Sequence, residues 1–167
     1  MNTRKYLIKN SLVACLVGCC VSFASAGNPP FFTTDAVLNA KGELLMTQKG
    51  TRHLDIFSAD GKSLLHSFPF DEIPTGLLPD GDKVYVTTFE KTGRLQVLSL
   101  ESGRVEAAIP TGSGACHPMF GPDKKHIYVC NQFDNSVVEV DPVMRKVVRS
   151  VNCLLYTSPS PRDSTSS

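Results

Sequence analysis

Cys116 and His117 stand side by side, and Cys130 follows a short way downstream. A thiol beside an imidazole could ligate a metal or approach a haem, and two thiols on neighbouring strands could be oxidised to a disulfide. Zinc centres recruit three or four ligands, usually through Cys-x-x-Cys or His-x-x-x-His spacings, and neither spacing occurs here. The Cys-x-x-Cys-His attachment sequence of a c-type haem is also absent. These residues are therefore assigned no metal and no cofactor; haem would belong only to a module downstream of them. A loop histidine hydrogen-bonded to backbone is the simpler reading of His117, and His53, His66 and His126 read as scattered surface or edge positions. Gly-x-Ser-x-Gly elbows and P-loops are missing as well. Asp80 and Asp82 sit in a turn, while Asp123 and Asp141 read as turn and strand-end carboxylates that accept local backbone N–H groups. No catalytic residue is named.

Of six cysteines, Cys15, Cys19 and Cys20 lie near the amino terminus and Cys153 near the carboxyl end. Cys116 and Cys130 alone belong to the patterned region between. Cys116 is placed just before one strand and Cys130 at the end of the next. If those strands run antiparallel, both thiols reach one face, and an oxidising compartment permits a Cys116–Cys130 disulfide. Free or buried thiols are the alternative.

The elements that position these residues come from a repeat. Pro79-Asp80-Gly81-Asp82-Lys83-Val84-Tyr85-Val86-Thr87-Thr88 returns as Pro122-Asp123-Lys124-Lys125-His126-Ile127-Tyr128-Val129-Cys130-Asn131. A period of about 40 to 50 residues with four short strands per unit marks a propeller blade. Leu95–Leu100 and Val137–Asp141 follow the two copies, each succeeded by a turn and a further apolar strand. A weaker copy lies upstream in Leu44–Thr47, Leu54–Phe57 and Leu64–Phe68. Alternating Val, Ile and Tyr bounded by Gly, Asp, Asn and Pro turns is the pattern of half-buried antiparallel strands. A β-sandwich shares that pattern but does not require the same turn chemistry to recur in register. The expected fold is all-β: three four-stranded antiparallel blades, at about 31–70, 71–111 and 112–152, of a partial propeller whose full ring would hold seven.

Units two and three resemble the YVTN-type, YncE-like β-propeller repeat of exported bacterial proteins. The shared elements are the Pro-Asp-Gly/Lys turn, the Tyr-Val-x-Asn/Thr strand, the Val-x-Val-Asp strand and a loose Gly112-to-Pro118 spacing. The resemblance covers 71–152 well and 31–70 weakly. Pro74-Thr75-Gly76-Leu77, Gly93–Val97 and Tyr128–Asn131 resemble the subset in which the propeller precedes a dihaem cytochrome c peroxidase-like module. That subset implies an electron-transfer enzyme whose haem module lies beyond this chain.

Residues 1–26 run from Arg4, Lys5 and Lys9 through an apolar stretch to Ala24-Ser25-Ala26, the order of a secretory signal peptide. Leu16-Val17-Gly18-Cys19 also resembles a lipobox, which would place a lipid on Cys19. The expected location is accordingly periplasmic, or the cell envelope as a lipoprotein, with no transmembrane segment once the signal is removed. Residues 153–167 break the repeat and resemble a translated sequencing-adapter tail; a disordered Ser/Pro linker is the alternative. On the first reading the chain is truncated and the ring is expected to be incomplete.

Between 27 and 152 the chain carries 13 bases against 15 acids, a net −2. No basic stripe runs through it, so a nucleic-acid partner lacks its electrostatic footprint. A protein or small-ligand partner is expected instead. Strand alternation puts the loops between strands d and a, and between b and c, on one face. That face gathers Lys49, Thr51, Arg52, Glu72, Thr75, Phe89, Glu90, Lys91, His117, Asn131, Phe133, Asp134 and Asn135. Loops on a rigid scaffold are where binding residues concentrate. The functional expectation is an exported, non-catalytic binding or scaffold module using this face.

Overall fold

The computed structural model describes residues 32–153. The leader with Cys15, Cys19 and Cys20, and the tail past Cys153, lie outside the described residues. Twelve strands follow in chain order: β1 (Thr33–Leu38), β2 (Leu44–Gln48), β3 (His53–Phe57), β4 (Leu64–Pro69), β5 (Pro74–Asp80), β6 (Lys83–Thr88), β7 (Gly93–Ser99), β8 (Val105–Gly112), β9 (Ala115–Phe120), β10 (Ile127–Asn131), β11 (Ser136–Asp141) and β12 (Lys146–Asn152). They form three four-stranded antiparallel sheets, each in sequential order, β1–β4, β5–β8 and β9–β12. No helix occurs among the described residues. The described residues form an all-β partial propeller of three blades.

The first strands β1, β5 and β9 pack successively against one another, while the last strands β4 and β12 lie largely exposed at the rim. Two apolar cores fill the gaps between blades. Leu45, Leu54 and Ile56 of the first blade meet Leu77, Val84, Val86 and Leu98 of the second. Tyr85, Leu95, Val97 and Ile109 of the second blade meet Ile127, Val129, Val138 and Val140 of the third. Because side chains alternate along a strand, Val84 and Val86 face one neighbour while Tyr85 faces the other. The middle blade is covered on both sides, so β6 and β7 are buried almost continuously. Strands β10 and β11 instead alternate buried with half-buried residues, since only one of their faces meets another blade.

Each inner strand bulges near its loop-face end. The register slips between Thr33 and Asp35 in β1, between Pro74 and Gly76 in β5, and between Cys116 and Met119 in β9, where His117 and Pro118 oppose Val129. A bulge bends the strand and re-aims its side chains. Here it turns Thr34 Oγ1 toward the next blade, where it donates to Pro74 O at 2.9 Å, and Thr75 Oγ1 repeats the act on Ala115 O at 2.8 Å. The same hydroxyls meet Thr47 Oγ1 at 2.7 Å and Thr87 Oγ1 at 3.1 Å within their own blades. Asp35 adds a further tie, its Oδ2 accepting from Leu77 N at 2.9 Å. Backbones approach closely at this level: a Cβ on Gly76 would fall 2.6 Å from Pro118 Cδ.

One boundary corrects the sequence reading. Cys116 lies inside β9, not before it, because Ala115 already pairs with Asn131 and is fully buried.

Candidate functional site

The loop face is built from hairpins that end on left-handed residues. Arg52 (φ 57°) closes the β2–β3 loop and Asn135 (φ 47°) the β10–β11 loop. Asn tolerates this conformation through its short polar side chain; for Arg it costs about 1 kcal/mol. Arg52 is held there by its own contacts: its carbonyl accepts from Phe70 N at 2.8 Å, and its Nη1 donates to Asp71 O at 2.6 Å.

The crossing between blades two and three, Ser113-Gly114, is clasped from both sides. Gly114 N donates to Glu90 O at 3.1 Å, Gln132 N to Gly114 O at 3.0 Å, and Phe133 N to Ser113 O at 3.2 Å. Asp134 Oδ2 accepts from Ser113 N at 2.6 Å. Gly114, at φ +71°, leaves room for the Phe133 ring, whose Cδ2 would stand 2.9 Å from a Cβ. Phe133 is 61% exposed. Its centroid lies 4.9 Å from that of Phe89, with the rings tilted by 59°. Lys49 Nζ sits 5.8 Å above the Phe89 ring. Ammonium, ring and ring thus form one continuous patch drawn from all three blades, held by aromatic and cation–π attraction.

The other expected loop-face residues divide by role. Lys91 is exposed and carries no ion pair among the described residues; Glu90 is half-buried and contributes its carbonyl. Asn131 is buried at 2% exposure: its Nδ2 donates to Thr111 O and Ser136 Oγ, and its Oδ1 has no partner among the described residues. It braces the face from beneath and presents no surface. Thr75 is likewise spent on the contact between blades. Glu72 turns inward to accept from Thr88 Oγ1, with Arg94 Nε at 3.4 Å from its other oxygen. His117 is exposed at φ 49° on the β9 bulge. It is not brought into the aromatic patch. Among the described residues no group of three or more His, Cys, Asp and Glu side chains is placed to hold a metal ion.

Cys116 and Cys130 are direct cross-strand partners, and both are half-buried free thiols. Burial, and after it the neighbouring Cys130, push the Cys116 thiol upward.

A second concavity lies on the opposite face, between the turns of blades two and three. It encloses about 360 Å³ and is lined by Tyr85, Phe120, Lys124, Lys125, His126 and Asp141 among others. Tyr85 and Phe120 meet edge to face at 6.1 Å. Asp123 Oδ1 caps the turn by accepting from Lys125 N and His126 N, and its Oδ2 pairs with His126 Nδ1 at 2.5 Å. Those two backbone donors, then the imidazole, lower the Asp123 carboxyl to about 2. The Asp123 hydrogen bond in turn raises His126 above its ordinary value. Glu139 Oε1 stands 3.7 Å from the same nitrogen, and Arg149 Nε binds Glu139 Oε2 at 2.9 Å. No serine, threonine or cysteine lines the cleft. Sequence reasoning passed over the cleft, because Asp123 is fully accounted for by turn chemistry and Tyr85 by its strand. The Lys124-Lys125-His126 run was its only signal.

No family model and no curated protein matches the chain. Solved structures do. Hydrazine synthase of Kuenenia stuttgartiensis aligns at a TM-score of 0.65 with 16% identity, over 77% of this chain and 38% of that one. The WD40 β-propeller domain of Doa1 aligns at 0.63 with 12% identity, over 72% and 40%. The computationally designed protein Ika8 aligns at 0.59 with 12% identity, over 71% and 36%. The chain spans about two fifths of the length of each. At these identities the likeness shows the β-propeller fold alone.

Proposed function

We propose that the protein is an exported, non-catalytic binding module of the YVTN-type, YncE-like propeller class, and that it engages a protein segment or small ligand through its loop face. The observation that carries this reading is the Lys49–Phe89–Phe133 patch. Three blades contribute to it, its backbone is fixed by the Glu90–Gly114–Gln132 clasp, and its Phe133 ring stands exposed. Rigid aromatic anchors with a nearby cation are what concentrate binding energy at recognition surfaces. The turn-face cleft offers charges of both signs and no exposed aromatic anchor drawn from several blades, which supports no comparable reading.

The test is an NMR shift-perturbation screen of peptides and small polar metabolites against the protein. Perturbed amides should cluster at 49–52, 89–92 and 132–135, and Phe133→Ala should weaken binding by about 2 kcal/mol, roughly thirtyfold. Hits that perturb only the Asp123–His126 turn would move the site to the other face.

The electron-transfer reading, with a haem module outside this chain, draws on the cytochrome c peroxidase-like resemblance. One structural neighbour bears the name of an enzyme, hydrazine synthase. That shows the fold shared with a catalyst and brings no chemistry to these residues.

A further inference from the structure

Positions 34 and 47 of the first blade, 75 and 87 of the second, and 116 and 130 of the third occupy one place in the repeat. Each pair joins the loop-face end of the innermost strand to the strand beside it; Thr34 and Thr75 are the extra residues of their bulges, whereas Cys116 stays in register immediately before the His117–Pro118 bulge. In the first two blades both positions are threonine, and the pair is closed by a hydroxyl–hydroxyl contact of 2.7 or 3.1 Å. In each, the inner hydroxyl also donates to the following blade's first strand, at 2.9 and 2.8 Å. In the third blade both positions are cysteine. The register makes Cys116 and Cys130 Cα partners across an antiparallel ladder. Directly opposed residues in such a ladder have Cα atoms about 4.5–5.5 Å apart, inside the roughly 4.4–6.8 Å span that a disulfide bridges. Both thiols lie on the side of β9 and β10 turned away from the second blade, since Ile127, Val129 and Asn131 occupy the buried side.

We infer that Cys116 and Cys130 form a redox site at the place of the threonine pairs, with the in-register pairing of β9 and β10 setting the two sulfurs opposite one another for a cross-strand disulfide. The inference is independent of the loop-face reading. Reduced, the Cys116 thiol stands where Thr34 and Thr75 reach the next blade, but a thiol is a weak hydrogen-bond donor. Oxidised, the pair ties β9 to β10 covalently and has no donor left for that flank. Oxidation removes two protons and two electrons from the two thiols. A small-molecule disulfide such as oxidised glutathione accepts them by exchange: one cysteine thiolate attacks it and expels a first glutathione thiolate. The second cysteine thiolate then attacks the mixed disulfide, forming the Cys116–Cys130 bond and expelling the second glutathione. The raised Cys116 thiol makes the exchange accelerate as pH climbs above neutrality.

The test is equilibration of the full chain in glutathione buffers of graded poise, with acid quench, alkylation and peptide mapping, in native buffer and in denaturant. The Cys116–Cys130 peptide pair should appear with an equilibrium constant ~tenfold or more larger in native buffer than in denaturant. Equal constants would show that the fold does not position the sulfurs, and native linkage of either residue to Cys153 instead would overturn the pairing. Cys116→Thr with Cys130→Thr should leave a hydroxyl pair that cannot be oxidised. It should also abolish the shift in melting temperature between oxidised and reduced protein. A shift that persists in this variant would place the redox sensitivity elsewhere and overturn the inference.

Discussion

Asp123 and His126 illustrate how one turn residue serves two purposes. The carboxylate is depressed chiefly by backbone N–H groups that it would keep without the imidazole, whereas His126 owes its upward shift first to Asp123. The pair is therefore asymmetric. His126→Gln should leave Asp123 titrating well below 3.8, while Asp123→Asn should return His126 toward 6.5; both are readable by NMR titration. Since His126 holds its proton more tightly when folded, its contribution to stability is whole below about 6.5 and fades as pH rises through the folded value. Asp123 contributes fully above its ordinary value of 3.8 and loses that contribution as pH falls through about 2. The turn should be firmest between those limits, which hydrogen exchange at the amides of Lys125 and His126 would show. Asp123's turn role was legible from Pro-Asp-Lys-Lys alone. His126's company was not, because Glu139 reaches it from strand β11, itself held by Arg149 of β12.

Among the elements, the inner strands carry the contacts that make three sheets one body. Thr75→Val keeps the shape of the side chain but orphans Ala115 O at the junction of blades two and three, at a cost of about 1–2 kcal/mol in a denaturant melt. Gly76→Ala is a different insult at the neighbouring position. Its methyl would meet Pro118 Cδ and Thr87 Oγ1 at 2.6 and 2.8 Å, and the His117 backbone nitrogen at 3.0 Å. Overpacking of that kind costs about 1–3 kcal/mol. Both substitutions should act on the same junction, so a double variant should fall short of the sum of the two. The strands themselves were readable, down to the Asp-Gly and Asp-Lys turns. The bulges were not, since an extra residue on one strand is visible only against its partner.

For the whole molecule, burial is one-sided in the third blade. Met119 is 60% and Val151 53% exposed, and Val148 joins them at 43%, while Tyr128, Cys130 and Val137 are only half covered. A propeller protects such flanks by closing into a ring of about four to eight blades. Open strand edges and apolar flanks invite self-association. The 167-residue chain taken alone should therefore melt broadly and associate as its concentration rises. Size-exclusion chromatography over a concentration series checks this, and a sharp melt of a persistent monomer would contradict it.

The repeat of Pro-Asp turns and Tyr-Val strands determined, without any structure, that the protein is all-β and built of four-stranded blades, because strand alternation and turn conformations are local properties. It also nominated the loop face, since strand direction follows from counting strands. Only the tertiary structure decided which nominees meet. Phe89 and Phe133 come together across a blade boundary, Asn131 disappears beneath the surface, and His117 stands apart. Contacts between blades depend on bulges, twist and backbone approach, and these are properties of pairs of segments rather than of either one. The likeness of Cys116 and Cys130 to two threonine pairs needed both: letters from the sequence, and from the structure the pairing that sets the two cysteines opposite one another.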